Sequence, residues 1–311
     1  MKKIIHVLCA IALSIACTSQ PAKSPEPHAF GEQKAFSTPQ DAAQALIKAA
    51  SVYDVPALLA ILGPDAEDLV ASDDPVQDRS RAAAFVAKAR EKNAVEVDPG
   101  DPARATLVVG SDEWPLPIPI VSVEGNWYFD SAAGRDEMLR RRIGANELDV
   151  ISICRGYVEA QREYASEIHD GAAVNQYAQR IISTEGKHDG LAWRNPDGTW
   201  GGPVGSSVAR AIEQGYAERK PFHGYYFKVL EGQGPSARLG QLDYFIDGAM
   251  IGGFALVAWP AEYRVTGVKT FIVSYDGIVY QKDLGPNTPA IVAAMDRYDP
   301  DKTWKPTHDA M

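Results

Sequence analysis

The residues from Asn146 to Ile168, NELDVISICRGYVEAQREYASEI, constrain the fold more than any other part of the chain. At about 100° per residue, Ile151, Ile153, Cys154, Tyr157, Val158, Ala160, Tyr164, Ala165 and Ile168 fall on one half of a helical wheel. Ser152, Arg155, Glu159, Arg162, Glu163 and Ser166 take the other half, and the charged ones sit three or four residues apart, the spacing of a solvated ion-pair ladder. Gln161 alone intrudes on the apolar side. A helix of this kind is half-buried and needs a cover, and the strand-rich run from Phe222 to Asp283 is placed to supply it.

That run reads as an antiparallel sheet. Tyr225 to Leu230, Leu242 to Ile246, Phe254 to Trp259, Val268 to Ser274 and Ile278 to Lys282 are strand-like, and the last two flank an Asp276-Gly277 turn. Thr288-Pro289 opens a last helix to about Arg297, and the end reads as loop. Between the central helix and the sheet, Ser183 to Gly205 forms a loop longer than compact domains usually carry, so it is either functional or held by its own aromatics. Val208 to Tyr216 can add one further helix.

Upstream, Thr38-Pro39 caps a helix to about Ser51, Asp54 caps a second that stops at Gly63-Pro64, and a third spans about Asp78 to Lys92. Strand signals come next at Ala105 to Val109, Pro117 to Val123 and Asn126 to Asp130, with a Glu124-Gly125 turn between the last two. Helices leading into an antiparallel sheet that closes with Trp127-Tyr128-Phe129-Asp130 resemble a cystatin-like or nuclear-transport-factor-like (NTF2-like) α+β domain. Residues 132–145, with Arg135, Arg140, Arg141 and Arg142 around Met138, Leu139 and Ile143, read as a connecting helix. Its charges suit a solvated face, or else anionic lipid or an acidic partner.

The N-terminus reads as an export address. Lys2 and Lys3 precede an apolar run, Ile4 to Ala16, which is too short to span a bilayer. Leu13-Ser14-Ile15-Ala16-Cys17 resembles a bacterial lipobox, in which cleavage after Ala16 leaves Cys17 as the acylated N-terminus; an ordinary signal peptide cut nearby is the alternative. Thr18 rather than Asp after the cysteine, by resemblance to Gram-negative lipoproteins, implies the outer membrane. Residues 17–35 form a polar tether, 36–131 the first domain and 146–311 the second. With Cys9 in the signal and Cys17 carrying lipid, Cys154 is left without a disulfide partner.

The charge balance, 41 acidic against 31 basic residues and a net charge of -10, repels phosphate backbones and disfavours nucleic-acid binding. His28, His169, His188, His223 and His308 form no close pair and no Cys-x-x-Cys exists, so neither a metal nor another cofactor is expected. Asp73, Asp74 and Asp78 lack the rhythm of a calcium loop and suit a helix N-terminus better. His188, Asp189 and His223, with Ser206-Ser207, are the components from which an envelope hydrolase could be assembled, though no Gly-x-Ser-x-Gly elbow accompanies them. Trp193, Trp200, Tyr216, Tyr225 and Tyr226 cluster around glycine-rich loops. They suit either a stacking surface for a glycan or protein partner, or pins that hold a long loop on the sheet.

Several segments converge on one family. Phe36-Ser37-Thr38-Pro39, Gly110-Ser111-Asp112-Glu113-Trp114-Pro115, Arg141 to Leu148 (RRIGANEL), Tyr157 to Ala165, Asp189-Gly190-Leu191, His223-Gly224-Tyr225-Tyr226-Phe227, Gly253 to Pro260 and Val279 to Gly285 resemble, in order, the DUF2950 pattern. The resemblance implies an exported bacterial protein and names no activity. The chain departs from the pattern at Arg264, where glycine is usual, and at Ala192, where an aromatic is. The Asn146-Glu147 helix, with Gly224-Tyr225-Tyr226-Phe227 after it and a closing Asp-Gly turn, also resembles, more distantly, the globular part of type IV pilins and pseudopilins. Together these features describe an α+β chain whose expected role is that of a lipid-anchored, non-catalytic interaction or assembly module. If Cys17 carries the lipid, Cys17→Ala moves the protein from the detergent phase to the aqueous phase in a Triton X-114 partition; unchanged partitioning contradicts lipidation.

Overall fold

The computed structural model describes residues 30–205 and 221–307. The signal and tether up to residue 29, Cys17 included, lie outside the described residues, as do Ser206, Ser207, Tyr216 and the helix expected over Val208 to Tyr216. The protein is α+β, and it divides into two compact units, Met1–Ser131 and Ala132–Met311.

In the first unit, helices α1 (Pro39–Ser51), α2 (Val55–Leu62), α3 (Glu67–Val70) and α4 (Pro75–Glu91) precede strands β1 (Asn93–Asp98), β2 (Asp101–Val109), β3 (Trp114–Pro115), β4 (Ile120–Val123) and β5 (Asn126–Phe129). The helix starts are set by capping chemistry. Thr38 accepts from Asp41 N, Asp54 from Ala57 N, and Asp74 from Val76 N and Gln77 N, each with proline in the first turn. The strands pair in the order β1-β2-β4-β5, with β3 on β2, and the buried core gathers Ala42, Leu46, Leu107, Val109, Ile120 and Phe129. Glu124 and Gly125 both hold positive φ, 52° and 81°, as a two-residue hairpin turn requires. Strand β1 is additional to those expected: Val95-Glu96-Val97-Asp98 alternates and Pro99-Gly100 turns the chain into β2, although Val95 is its only residue that is not exposed. Prolines 117 and 119 fall between β3 and β4 and shorten the expected strand to Ile120–Val123.

In the second unit, α5 (Ser131–Tyr164) is one continuous helix of 34 residues. The break expected between a connecting helix at 132–145 and the central helix is not there. An isolated Gly144 costs about 1 kcal/mol, and the good helix formers on either side of it, Leu139 to Arg142 and Ala145 to Leu148, absorb that cost. The helix ends at Tyr164, four residues short of Ile168, which is exposed.

Beyond α5 come β6 (Arg180–Ile182), β7 (Gly190–Arg194), β8 (Trp200–Gly201), β9 (Tyr225–Leu230), β10 (Gly232–Gln233), β11 (Leu242–Asp243), β12 (Phe245–Ile246), β13 (Ala249–Met250), β14 (Ala255–Pro260), β15 (Thr270–Ser274) and β16 (Tyr280–Lys282). Helix α6 (Thr288–Ala293), β17 (Arg297–Tyr298) and β18 (Lys305–Pro306) complete the described residues. The main sheet runs β18-β16-β15-β14-β9, antiparallel throughout. The long loop is not structureless, since β7 pairs with both β6 and β8. The last helix stops at Ala293, short of Arg297, and the chain end expected as loop supplies β17, paired with β10, and the edge strand β18. Strands this short are fixed by partners distant in sequence and leave no local pattern.

The flank of α5 is buried as its periodicity demands. Val150, Ile151, Cys154, Tyr157, Val158, Ala160 and Tyr164 share one core with Tyr225, Phe227, Leu256, Ala258, Phe271 and Val273 of the sheet. Tyr157 is 5% exposed and Tyr164 3%. Registry places those six strand residues on one face, because Ala258 lies opposite both Phe227 and Phe271, and Leu256 opposite Val273. The opposite face is met by α6, where Lys228 Nζ donates to Ala293 O at the helix end at 3.4 Å and to Met295 O just beyond it at 2.9 Å.

Gln161, the polar intruder, is fully buried and fully used: it donates to Tyr157 Oη and Ala178 O at 2.9 Å each and accepts from Ala178 N at 2.8 Å. Gln161→Ala orphans both backbone groups of Ala178 and should lower unfolding stability by about 3 kcal/mol in urea titration; a loss below about 1 kcal/mol would mean that the site relaxes to satisfy them. Arg264 holds φ 63°, the left-handed conformation that glycine adopts without penalty.

Candidate functional site

Two polar clusters sit at the two ends of the buried stretch of α5, and they contain most of the residues singled out in the sequence. At the Asn146 end, Asn146 Nδ2 donates to Thr266 O at 2.8 Å, and Glu147 Oε1 accepts from Val268 N and Lys269 N at 2.9 Å each. His223 and Gly224, with φ 48° and 74°, form the two central residues of a tight turn closed by reciprocal bonds between Phe222 and Tyr225. A Cβ on Gly224 would stand 2.7 Å from Asn146 Nδ2 and 2.9 Å from Thr266 Cβ, so both backbone conformation and space require glycine. The His223 ring turns outward and meets Asp149, with Nδ1 and Oδ2 2.7 Å apart.

Tyr225 is a core residue, not part of a partner surface. It is completely buried, its hydroxyl donates to Lys269 O at 2.9 Å, and its ring lies so close to Gly267 that any side chain there would collide with it. Burial, and then the Glu147 carboxylate, push that hydroxyl above the usual tyrosine range. Tyr226 points to the opposite face of the sheet and packs half-buried beside Trp259, ring centres 5.8 Å apart.

At the Tyr164 end, the His169 ring stacks on Tyr164 with centroids 3.9 Å apart, and its Nε2 lies 2.9 Å from Tyr164 O. The Tyr164 hydroxyl donates to His188 O. Asp170 grips His188 twice, accepting from its backbone N at 2.7 Å and meeting Nδ1 at 2.7 Å. Trp193 lies between the two imidazoles, 4.7 Å from His188 and 5.6 Å from His169, and across Gly201 and Gly202, where a Cβ would strike its ring. Next to it, the Arg194 guanidinium stands 4.2 Å over the Trp200 ring.

These positions separate the components of the hydrolase reading. His188 is tied to Tyr164 and His223 to Asp149, fifteen residues apart on α5, which at the helical rise is roughly 22 Å. Asp189 does not hold His188; it accepts from Thr184 N and Oγ1 at 2.7 and 2.8 Å and closes its own loop. The carboxylates that do face the histidines, Asp149 and Asp170, could not be singled out in the sequence, since an acid in a helix and an acid in a His-Asp-Gly turn carry no mark of their partner. Cys154 is completely buried, and burial pushes its thiol up to about 12. In the first unit, Asp74 caps α4 and Asp78 accepts from Ser72 N and Oγ at 2.6 and 2.9 Å. Among the described residues, no group of three or more His, Cys, Asp or Glu is placed to hold a metal ion.

An apolar cavity of about 250 Å³ lies beside α5, lined by Ile153, Tyr157, Ala160, Leu191, Phe227 and Leu256, and reaching Gly205.

The family model described as protein of unknown function (DUF2950) matches residues 33–307. Comparison with the curated proteins and with the solved structures finds no match.

This geometry carries two testable outcomes. The Asp170 carboxyl is held below its ordinary value of 3.8, first by the His188 backbone N–H. Its contribution to folding is therefore complete above 3.8 and is lost as pH falls through the lower folded value. The indole N–H resonance of Trp193 should report that loss on acid titration, and Asp170→Asn should remove the transition; a transition unchanged in the variant contradicts the assignment. Cys154 should resist iodoacetamide at pH 8 until denaturant is added, whereas labelling at the same rate with and without denaturant would contradict its burial.

Proposed function

Since the chain belongs to the DUF2950 family, which is defined by no activity, we propose that it acts as a lipid-anchored, non-catalytic protein of the bacterial envelope. Its anchor is the acylated Cys17, and the outer membrane of a Gram-negative cell is its place. The second unit works as an interaction or assembly module toward an envelope protein or glycan, in the manner of a pilin-like display domain.

One observation carries this reading: the half-exposed ring group of His169, Trp193 and His188 is held in place from three sides, by Tyr164, by Asp170 and by Gly201 and Gly202. Rings fixed in advance lose little freedom on stacking against a sugar or a partner side chain. Further support comes from α5 lying on an antiparallel sheet, the arrangement the pilin analogy requires. The lipobox-like Leu13 to Cys17 supports the anchor. Trp200 adjoins the proposed surface through Arg194; Tyr225, being core, and Tyr226, on the far face of the sheet beside Trp259, do not belong to it.

The test is crosslinking in intact cells, with recovery of the protein from the envelope. A protein or glycan captured by the wild type should be lost with Trp193→Ala, and also with His188→Ala, which leaves the buried Leu191 and Ala192 of β7 in place. Equal capture by both variants at unchanged melting temperature would overturn the surface.

A further inference from the structure

We draw no further inference here: the strongest candidate, the apolar cavity of about 250 Å³ between α5 and strands β7, β9 and β14, opens at Gly205 where the described residues stop, and nothing in the structure shows what covers it.

Discussion

The second unit depends on a single burial event, the closure of the apolar flank of α5 by strands β9, β14 and β15. Tyr157, Tyr164 and the aliphatic residues between them cannot be left in water: each large side chain buried contributes about 1.5–3 kcal/mol. Because the flank carries two tyrosines and a glutamine, the closure is polar as well as apolar. Gln161 occupies its place only because Ala178 offers both a donor and an acceptor, and that pairing fixes where the chain returns after the helix. The helix therefore sets the registry of the segment after it.

The same logic explains why the polar residues at the Asn146 end of α5 stand where they do. Asn146 and Glu147 hold the backbone of Thr266 to Lys269, Gly224 lets the Phe222–Tyr225 turn approach Asn146, and Tyr225 reaches Lys269 over the bare Gly267. Three separate segments are thus one corner, in which each residue type is required by its neighbours' geometry. His223 belongs to this corner as a turn residue with positive φ, and its outward ring pairs with Asp149. A histidine beside a carboxylate need not be chemical; here the turn backbone gives a sufficient reason for the position.

How much of this is legible in the sequence depends on how local the cause is. The helix flank, the caps at Thr38 and Asp54, the Glu124-Gly125 turn and strand β9 rest on neighbours a few residues away, and the pattern displays them. Strands β17 and β18 rest on partners that pattern cannot name, and they escape it. The continuity of α5 through Gly144 escapes because the helix formers flanking that glycine outweigh it, and a lone glycine does not announce which side wins. At the candidate site, the aromatics are visible but not their burial: Tyr225 and Tyr226 are adjacent, and strand alternation sends one into the core and the other to the far face. The partners of His188 and His223 are invisible, since Asp170 and Asp149 become neighbours only once α5 and its flanking turns are in place.

If burial of the α5 flank organises the second unit, α5 and the sheet must unfold as one cooperative body. Native-state hydrogen exchange measures this directly. The amides of Val150 to Tyr164 and of Ala255 to Trp259 should exchange with the same opening free energy, equal to that of global unfolding of the second unit. Exchange of the α5 amides through a much cheaper local opening, with β14 still protected, would contradict it.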